Sequence, residues 1–404
     1  MTLDYQTSES EGKAALPDLS GRTIVQLIPE MQAGGAERGT VEVARGIVEA
    51  GGRALVVSAP GGRLLGDLSR VGGEHIPLDI GKKSIFALRG NVKKLAAIVT
   101  AEKADLIHAR SRMPAWVARG TAQKTGIPYL ATWHGLHQGG SLKKRYNRPL
   151  VDGERVIAIS NFIADHIEKT YGIGADKLRL IPRGVDLSQF MPESVLGGRL
   201  IALSEQWKVP DGVPVVLMPG RLTEWKGQKL LIEAAAKLRD KIGDWKFVVV
   251  ILGDDQGRAD YTKSLEKMIE SLDLWNVMRL APHCNDMGAA YKLSDIVVVP
   301  SLKPEPFGRV PIEAQAMGAM VVAADHGGLA ETVIEGETGF LFPPGDAAAL
   351  AGVLEKALVI DDAEREARAK RASDRVRTDY DGRLMVSRTL EVYREILTQK
   401  RAVA

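Results

Sequence analysis

Short apolar runs alternate with helix-like segments along this chain, and the alternation occurs twice. The first series predicts strands at residues 24–28, 54–58, 106–108, 129–132, 156–159 and 178–181. The second series predicts strands at 215–218, 246–252, 277–280, 296–299 and 320–323. Strands without polar alternation are typical of parallel sheets that helices cover on both faces. The pattern therefore predicts an α/β chain with two Rossmann-like domains, which face each other across a cleft that holds the active site.

The domain boundaries are predicted where the regular patterns stop. Residues 1–20 are polar, contain Gly12 and Pro17, and are typical of a flexible leader rather than a signal peptide. We place the first domain at residues 21–195 and the second at 210–382, because prolines and glycines interrupt the segment between them. Residues 383–404 carry apolar side chains at helical spacing, which predicts a closing helix that packs toward the first domain.

The composition indicates the cellular compartment in which the protein is expected. The 404 residues include one cysteine, Cys284, so no intrachain disulfide can form, which is compatible with a reducing compartment. No run of about 18 apolar residues predicts a membrane span. We therefore expect a cytoplasmic protein.

Basic residues are concentrated in the first half of the chain. The net charge is +3, but residues 82–148 contain 14 lysines and arginines against two acids, Glu102 and Asp105. Such a band is compatible with an anionic partner, whether a membrane surface, a phosphorylated acceptor or a nucleic acid. A solvated basic face remains the alternative. No nucleic-acid recognition motif accompanies the band, so we expect no nucleic-acid partner.

The first glycine motif, Gly34-Gly35, directly follows the first predicted strand. Glycine lets the backbone approach a ligand closely, and the N–H groups at the start of the next helix suit an anion. The dinucleotide fingerprint is absent, which argues against a nicotinamide cofactor. A tight strand-to-helix turn would also explain these glycines.

A second loop, residues 219–227, follows the first strand of the second series. Its cations Arg221 and Lys226 precede a helix, and two fixed cations beside a helix N-terminus suit a diphosphate. The order of residues is not that of a Walker A loop.

The third and most informative motif is residues 304–314, which follow the strand at 296–299. Pro311 suits the first turn of a helix. The backbone N–H groups near Phe307, Gly308 and Arg309 are then predicted to point at phosphate oxygens. Glu305, on the loop, and Glu313, predicted in the first helical turn, can reach two parts of one ligand.

At this point the chain resembles the retaining glycosyltransferases of family 4, which have the GT-B fold. The resemblance extends from about residue 23 to about residue 400. Its motifs are Gly34-Gly35, residues 132–135, residues 181–186, the 220–227 loop, residues 327–332, residues 339–346 and the spacing of Glu305 and Glu313.

The resemblance implies a nucleotide-sugar donor and an acceptor that binds the first domain. Arg221 and Lys226 would hold the donor diphosphate. The backbone near the glycine motif and the third motif would assist, at Gly34, Gly35, Phe307, Gly308 and Arg309.

The resemblance also implies roles for side chains around the sugar. Glu305 would bind hydroxyls of the transferred sugar, Glu313 the nucleotide ribose, and His134 the sugar near the reaction centre. Glu331 would lie near the phosphate loops of the second domain. Arg183 stands where many relatives carry asparagine, and it adds a cation beside the site.

The chemistry implied by the resemblance needs no metal and no cofactor beyond the donor substrate. The diphosphate leaving group gains negative charge, which fixed cations and helix amides stabilise. In the retaining mechanism the acceptor attacks the face that the diphosphate leaves, and the diphosphate takes the acceptor proton. The open alternatives are a nucleotide-sugar epimerase or a phosphorylase of the same two-domain plan, and an inactive donor-binding scaffold.

A basic segment after His134 suggests where the acceptor is found. Its cations Lys143, Lys144, Arg145 and Arg148 stand among apolar side chains, which suits docking on an anionic leaflet, together with Lys82 and Lys83. The sequence of residues 32–38, 80–84 and 108–111 resembles alphaproteobacterial transferases of the lipopolysaccharide core. That resemblance implies a lipid-linked or core saccharide acceptor and a hexose donor, with GDP-mannose as the first candidate.

Overall fold

The computed structural model describes residues 16–32, 34–82, 84–137, 139–244 and 246–403. Most of the predicted leader, residues 1–15, and Lys83 of the predicted membrane contact lie outside the described residues.

Thirteen β-strands are present among the described residues. They are β1 Thr23–Leu27, β2 Arg53–Ser58, β3 Glu74–Pro77, β4 Leu106–Ala109, β5 Tyr129–Trp133, β6 Val156–Ala158, β7 Leu178–Leu180, β8 Val215–Pro219, β9 Val248–Leu252, β10 Met278–Ala281, β11 Ile296–Val299, β12 Met320–Ala324 and β13 Gly339–Phe342.

The α-helices follow the strands in regular alternation. They are α1 Gly35–Glu49, α2 Leu65–Arg70, α3 Ile85–Ala101, α4 Arg112–Thr125, α5 Ser141–Asn147, α6 Asn161–Tyr171, α7 Gly197–Trp207, α8 Gln228–Ile242, α9 Ala259–Ser271, α10 Met287–Leu293, α11 Arg309–Ala316, α12 Leu329–Thr332, α13 Ala347–Leu358, α14 Asp362–Asp379 and α15 Gly382–Val403.

The strands form two sheets, as predicted. The first has the order β3-β2-β1-β4-β5-β6-β7, and the second has the order β10-β9-β8-β11-β12-β13. Neighbouring strands such as β1 and β4, or β8 and β11, run parallel. In each sheet the strand order reverses beside the first strand, β1 or β8. In such sheets ligands bind beyond the carboxyl ends of the strands at this switch point.

The apolar strands are buried because helices cover the sheets. Every residue of β9 and β11 is buried, and all of them are aliphatic. A fully apolar strand has no face to offer to water, so it is stable only between two helical layers. This confirms the prediction of two parallel α/β domains.

The chain divides into two compact units. The first unit takes in the described residues up to Thr132, Pro149–Val156 and the residues from Arg383 onward. The second takes in Trp133–Arg148 and Ile157–Gly382. Within the first unit α15 packs closely on α1, since a Cβ on Gly46 would lie 2.2 Å from Val386 Cγ1.

Four elements differ from the sequence prediction. The last strand, β13, was not predicted, although three of its four residues are apolar. The short strand β3 was not predicted, because only two of its four residues are apolar and none of them is buried. Helix α7 lies inside the segment that we assigned to the domain junction. Helix α11 begins at Arg309, so Glu313 is its fifth residue and lies beyond the predicted first turn.

Candidate active site

A buried ion pair joins two of the predicted site residues of the second unit. The Lys226 ammonium lies 2.6 Å from Glu305 Oε1, and both side chains are largely shielded from water. Lys226 reaches this position from the loop before α8, whereas Glu305 lies on the loop between β11 and α11. The pair therefore ties together the two loops in which the sequence placed the cation and the carboxylate.

A serine that the sequence analysis did not identify supports Glu305. The Ser301 hydroxyl is fully buried and donates to Glu305 Oε1, the oxygen that also accepts from Lys226. The Ser301 carbonyl in turn accepts from His326 Nε2 at 2.7 Å. Because a carbonyl only accepts, this contact places a proton on Nε2. Two donors thus fix the orientation of the Glu305 carboxylate.

The backbone on either side of Glu305 is held by the loop before α12. The N–H of Gly328 donates to the Glu305 carbonyl at 2.8 Å. A Cβ on Gly328 would lie 2.4 Å from Phe307 Cα, so only glycine fits this crossing. Gly308 has a φ of +91° and ends the loop at the start of α11. The glycines therefore set the path of the loop before α11.

The second glutamate, Glu313, has partners on two sides. Its Oε1 lies 3.1 Å from Arg309 Nε, one helical turn earlier. Its Oε2 accepts from the Tyr291 hydroxyl of α10 at 3.0 Å. Tyr291 is buried, and this burial raises its pKa well above its ordinary value, so the hydroxyl stays a donor. The Glu313 carboxylate is therefore held in one orientation on α11.

The loop that carries Arg221 and Lys226 has an unsatisfied hydroxyl. The Arg221 side chain is exposed, and its carbonyl accepts from the buried Gln228 amide at 3.0 Å. Among the residues that the structure describes, the buried Thr223 hydroxyl finds no hydrogen-bond partner. A buried polar group without a partner is uncommon and is expected where a ligand or water completes it.

Glu331 binds the start of helix α6. Its carboxylate accepts from the backbone N–H of Asn161 at 2.8 Å and of Phe162 at 2.6 Å, which neutralises part of the helix dipole. Ser160, the N-cap of α6, accepts from Ile163 N and also donates to the Pro306 carbonyl at 2.5 Å. The Glu331 carboxylate therefore caps the N-terminus of α6, and both belong to the second unit.

Two further predicted residues, His134 and Arg183, also belong to the second unit. His134 follows β5 and is half-buried. Arg183 follows β7 and is buried, with 6% of its surface exposed. A buried guanidinium needs hydrogen-bond partners, since its desolvation is costly.

The glycine motif belongs to the first unit. Gly34 lies directly before α1, and its carbonyl accepts from Arg38 N. A Cβ on Gly34 would lie 2.1 Å from Glu37 Oε2. A side chain at position 34 would therefore collide with the Glu37 carboxylate. This contact is a second reason for glycine at position 34, and it was not apparent from the sequence.

A buried polar cluster in the first unit surrounds His108, at the end of β4. His108 Nε2 lies 2.7 Å from Thr132 Oγ1, and Nδ1 lies 2.5 Å from the Tyr393 hydroxyl of α15. His108 is fully buried, and Tyr393 of α15 covers it. Burial, and next the charge of Arg110, hold the pKa of His108 well below its ordinary value.

We expect the first unit to lose stability in mild acid because of His108. The folded state keeps His108 neutral, whereas the unfolded chain takes up a proton near pH 6.5. The free energy of unfolding should therefore fall as the pH drops below about 6.5, by up to about 1.4 kcal/mol per pH unit for this group. Urea unfolding at pH 7.5 and pH 5.5 measures the change.

The control for this effect is His108→Gln, which keeps polar atoms but does not titrate. Burial also lowers the pKa values of His75 and His166, so the variant should retain part of the pH dependence. An unchanged pH dependence in His108→Gln would contradict the assignment to His108.

Within the second unit, five of the predicted site residues make three separate sets of contacts. Lys226 pairs with Glu305, Arg309 pairs with Glu313, and Glu331 caps α6. Ser301 was not predicted from the sequence, although a polar residue two positions after an apolar strand was a usable signal. Tyr291 was not predicted because nothing in the local sequence connects it with Glu313. In the described part of the chain, no group of three or more His, Cys, Asp or Glu side chains is placed to hold a metal ion.

Comparison with protein families gives two matches that follow one another along the chain. Residues 33–189 match the family described as Glycosyltransferase Family 4, and residues 201–375 match Glycosyl transferases group 1. A curated relative, D-inositol 3-phosphate glycosyltransferase of Arthrobacter sp., is 33% identical over 276 residues. That match covers 65% of this chain and 63% of the relative, so the chain spans just under two thirds of its length.

Two solved structures are similar over nearly the whole chain. A glycosyltransferase from Rickettsia africae is 34% identical, with a TM-score of 0.86, and the match covers 93% of this chain and 98% of that one. The Anabaena protein HepE, in complex with UDP and glucose, is 25% identical with a TM-score of 0.80, over 93% of this chain and 100% of that one.

The two parallel α/β domains are those of the GT-B class of glycosyltransferases. Within that class, the chain belongs to glycosyltransferase family 4.

Proposed function

We propose that this protein is a retaining hexosyltransferase that transfers a sugar from a nucleotide-sugar donor to a saccharide acceptor. The observation that carries the proposal is the Lys226–Glu305 ion pair with its Ser301 support. A desolvated cation and a fixed carboxylate side by side suit the diphosphate and the hydroxyls of one donor. HepE, which is similar in fold and sequence, binds UDP and glucose.

The chemistry that we propose follows from the charges of the site. As the bond from the sugar to the diphosphate breaks, Lys226 and Arg221 stabilise the charge on the leaving group. The unsatisfied Thr223 hydroxyl lies in the same loop and is a further donor for a phosphate oxygen. Glu305 orients the sugar, Glu313 the ribose, and no metal is required, so excess EDTA should leave the rate unchanged.

We propose that the acceptor carries phosphate or lipid. The curated relatives named D-inositol 3-phosphate glycosyltransferase support a phosphorylated acceptor. The resemblance to transferases of the lipopolysaccharide core supports a lipid-linked saccharide, with mannose from GDP-mannose as one donor. The UDP and glucose of HepE support a uridine donor as the second candidate.

We further propose that α5 contacts an anionic leaflet at the inner membrane face. Its cations Lys143, Lys144 and Arg145, with Arg148 after the helix, accompany the exposed Leu142. No helix of the described residues is long and apolar enough to cross a membrane. Replacing these cations by glutamine should then weaken sedimentation with anionic vesicles, and unchanged sedimentation would refute the contact.

Saturation-transfer NMR with four donors tests the function. We expect one of GDP-mannose, UDP-glucose, UDP-N-acetylglucosamine and UDP-galactose to bind, and Glu305→Ala and Arg221→Ala to abolish its signal. Conversion of a free donor without an acceptor would favour the epimerase. A folded protein that binds a donor but transfers nothing would favour the scaffold, and no donor binding would refute the proposal.

A further inference from the structure

The backbone on both sides of Arg221 is tied to the neighbouring strand β9. The N–H of Gly220 donates to the carbonyl of Leu252, the last residue of β9, at 2.9 Å. The N–H of Leu222 donates to the carbonyl of Asp254, two residues beyond that strand, at 3.1 Å. The Arg221 side chain is exposed, so these backbone contacts decide the point from which it extends.

A buried glutamine holds the carbonyl of Arg221 itself. Gln228 is the first residue of α8, is fully buried, and donates from Nε2 to the Arg221 carbonyl at 3.0 Å. A carbonyl oxygen only accepts, so the amide nitrogen of Gln228 must face Arg221 and the amide oxygen must face another donor. The contact therefore sets the orientation of the glutamine amide as well as the position of the carbonyl.

A tyrosine from a different helix supplies that donor. The hydroxyl of Tyr261, on α9, donates to Gln228 Oε1 at 3.1 Å. Burial, and next the charge of Glu224, raises the pKa of Tyr261 to about 12, so the hydroxyl keeps its proton at neutral pH. Tyr261, Gln228 and the Arg221 carbonyl thus form one chain of hydrogen bonds. Removing either donor leaves a buried acceptor without a partner, which is costly.

This chain of hydrogen bonds acts on a cation that must meet its ligand in a defined geometry. A guanidinium binds phosphate oxygens best through two parallel N–H groups, which requires a fixed approach. We propose that Gln228 and Tyr261 are positioning residues, which set the Arg221 backbone so that the guanidinium meets the diphosphate of the donor. The inference rests on the proposed function and adds two residues that act through Arg221 rather than on the donor.

Ligand titration of the full chain by NMR tests the proposal. The probes are UDP or GDP, whichever binds the wild-type protein, and the matching nucleoside, uridine or guanosine. Gln228→Leu should weaken binding of the nucleoside diphosphate about tenfold, and Tyr261→Phe about threefold. Neither variant should change nucleoside binding by more than about twofold, because a nucleoside has no phosphate for Arg221 to bind.

A matched control removes a similar hydroxyl elsewhere. Tyr129, in the first unit, donates to the Pro149 carbonyl at 3.0 Å. Tyr129→Phe should leave both affinities within about twofold of the wild-type values, since distant sites act independently. Circular dichroism confirms that each variant is folded, and Tyr261→Phe alone decides the outcome if Gln228→Leu does not fold.

A double variant shows whether the effect passes through Arg221. UDP or GDP keeps its base and ribose contacts in Arg221→Ala, so the weak remaining affinity can be titrated at high ligand concentration. Adding Tyr261→Phe to Arg221→Ala should change this affinity by less than about twofold, since no guanidinium is left to position.

Three results would overturn the proposal while the proposed function stands. They are equal losses for nucleoside and nucleoside diphosphate, an undiminished effect of Tyr261→Phe in the Arg221→Ala background, and full diphosphate affinity in Gln228→Leu and Tyr261→Phe while Arg221→Ala weakens it. If neither UDP nor GDP binds the wild-type protein, the proposed function fails and this inference fails with it.

Discussion

Replacing Glu305 by glutamine is expected to lower kcat by about 10²- to 10³-fold, the loss typical of one preorganised polar contact at a reaction centre. The variant keeps the shape of the side chain but removes the negative charge that pairs with Lys226 and that accepts from Ser301. Both the orientation of the sugar and the position of the Lys226 ammonium then change. Initial rates with the donor that binds, in the presence of acceptor, measure the loss.

The control for this prediction is a second glutamate–lysine pair of the same unit. Glu355 pairs with Lys241, whose side chain is largely exposed. Surface pairs contribute little, so Glu355→Gln should leave kcat within about twofold. A full rate in Glu305→Gln would show that the carboxylate is not part of the reaction centre.

Gly227→Ala is expected to destabilise the second unit by roughly 3 kcal/mol and to remove donor binding. Gly227 has a φ of +84°, which costs an alanine energy, and its Cβ would lie 2.0 Å from the Pro300 carbonyl oxygen. Gly227 follows Lys226, and Pro300 precedes Ser301. The clash therefore separates the two loops that bring Lys226 and Glu305 together. Urea unfolding and donor NMR measure the two effects.

Two other glycines separate the causes of this loss. Gly126→Ala keeps the positive φ of +70° but meets no atom within 4 Å, so it isolates the backbone cost at about 1 kcal/mol. Gly352→Ala, inside α13 with open space, should stabilise the protein by up to about 1 kcal/mol. If Gly227→Ala costs no more than Gly126→Ala, the contact with Pro300 does not hold the loops together.

Much of the fold was predictable, because buried parallel strands are uniformly apolar and the two series are separated. The prediction failed where the local signal is short or mixed. Strands β3 and β13 have four residues each and lie at sheet edges. Helix α7 begins with two glycines, which are poor helix formers. The junction was therefore assigned to a segment that contains a helix.

The site residues were predicted as motifs, but their contacts were not. The sequence placed Lys226 and Glu305 on separate loops, and only folding shows that they pair across 79 positions. Tyr291 supports Glu313 from another helix, and Tyr393 covers His108 from a helix 285 residues later. Such partners are fixed by packing between elements, which periodicity within one element does not reveal.

The contribution of α15 to the first unit has a consequence for synthesis of the protein on the ribosome. Tyr393 and Glu395 of this helix complete the contacts of His108 and Arg155, yet they emerge after all strands of both sheets. A nascent chain that has reached residue 382 holds every residue of the second unit but lacks the last helix of the first. The unit translated first is therefore the last to mature, and until then its uncovered apolar surface is available to chaperones.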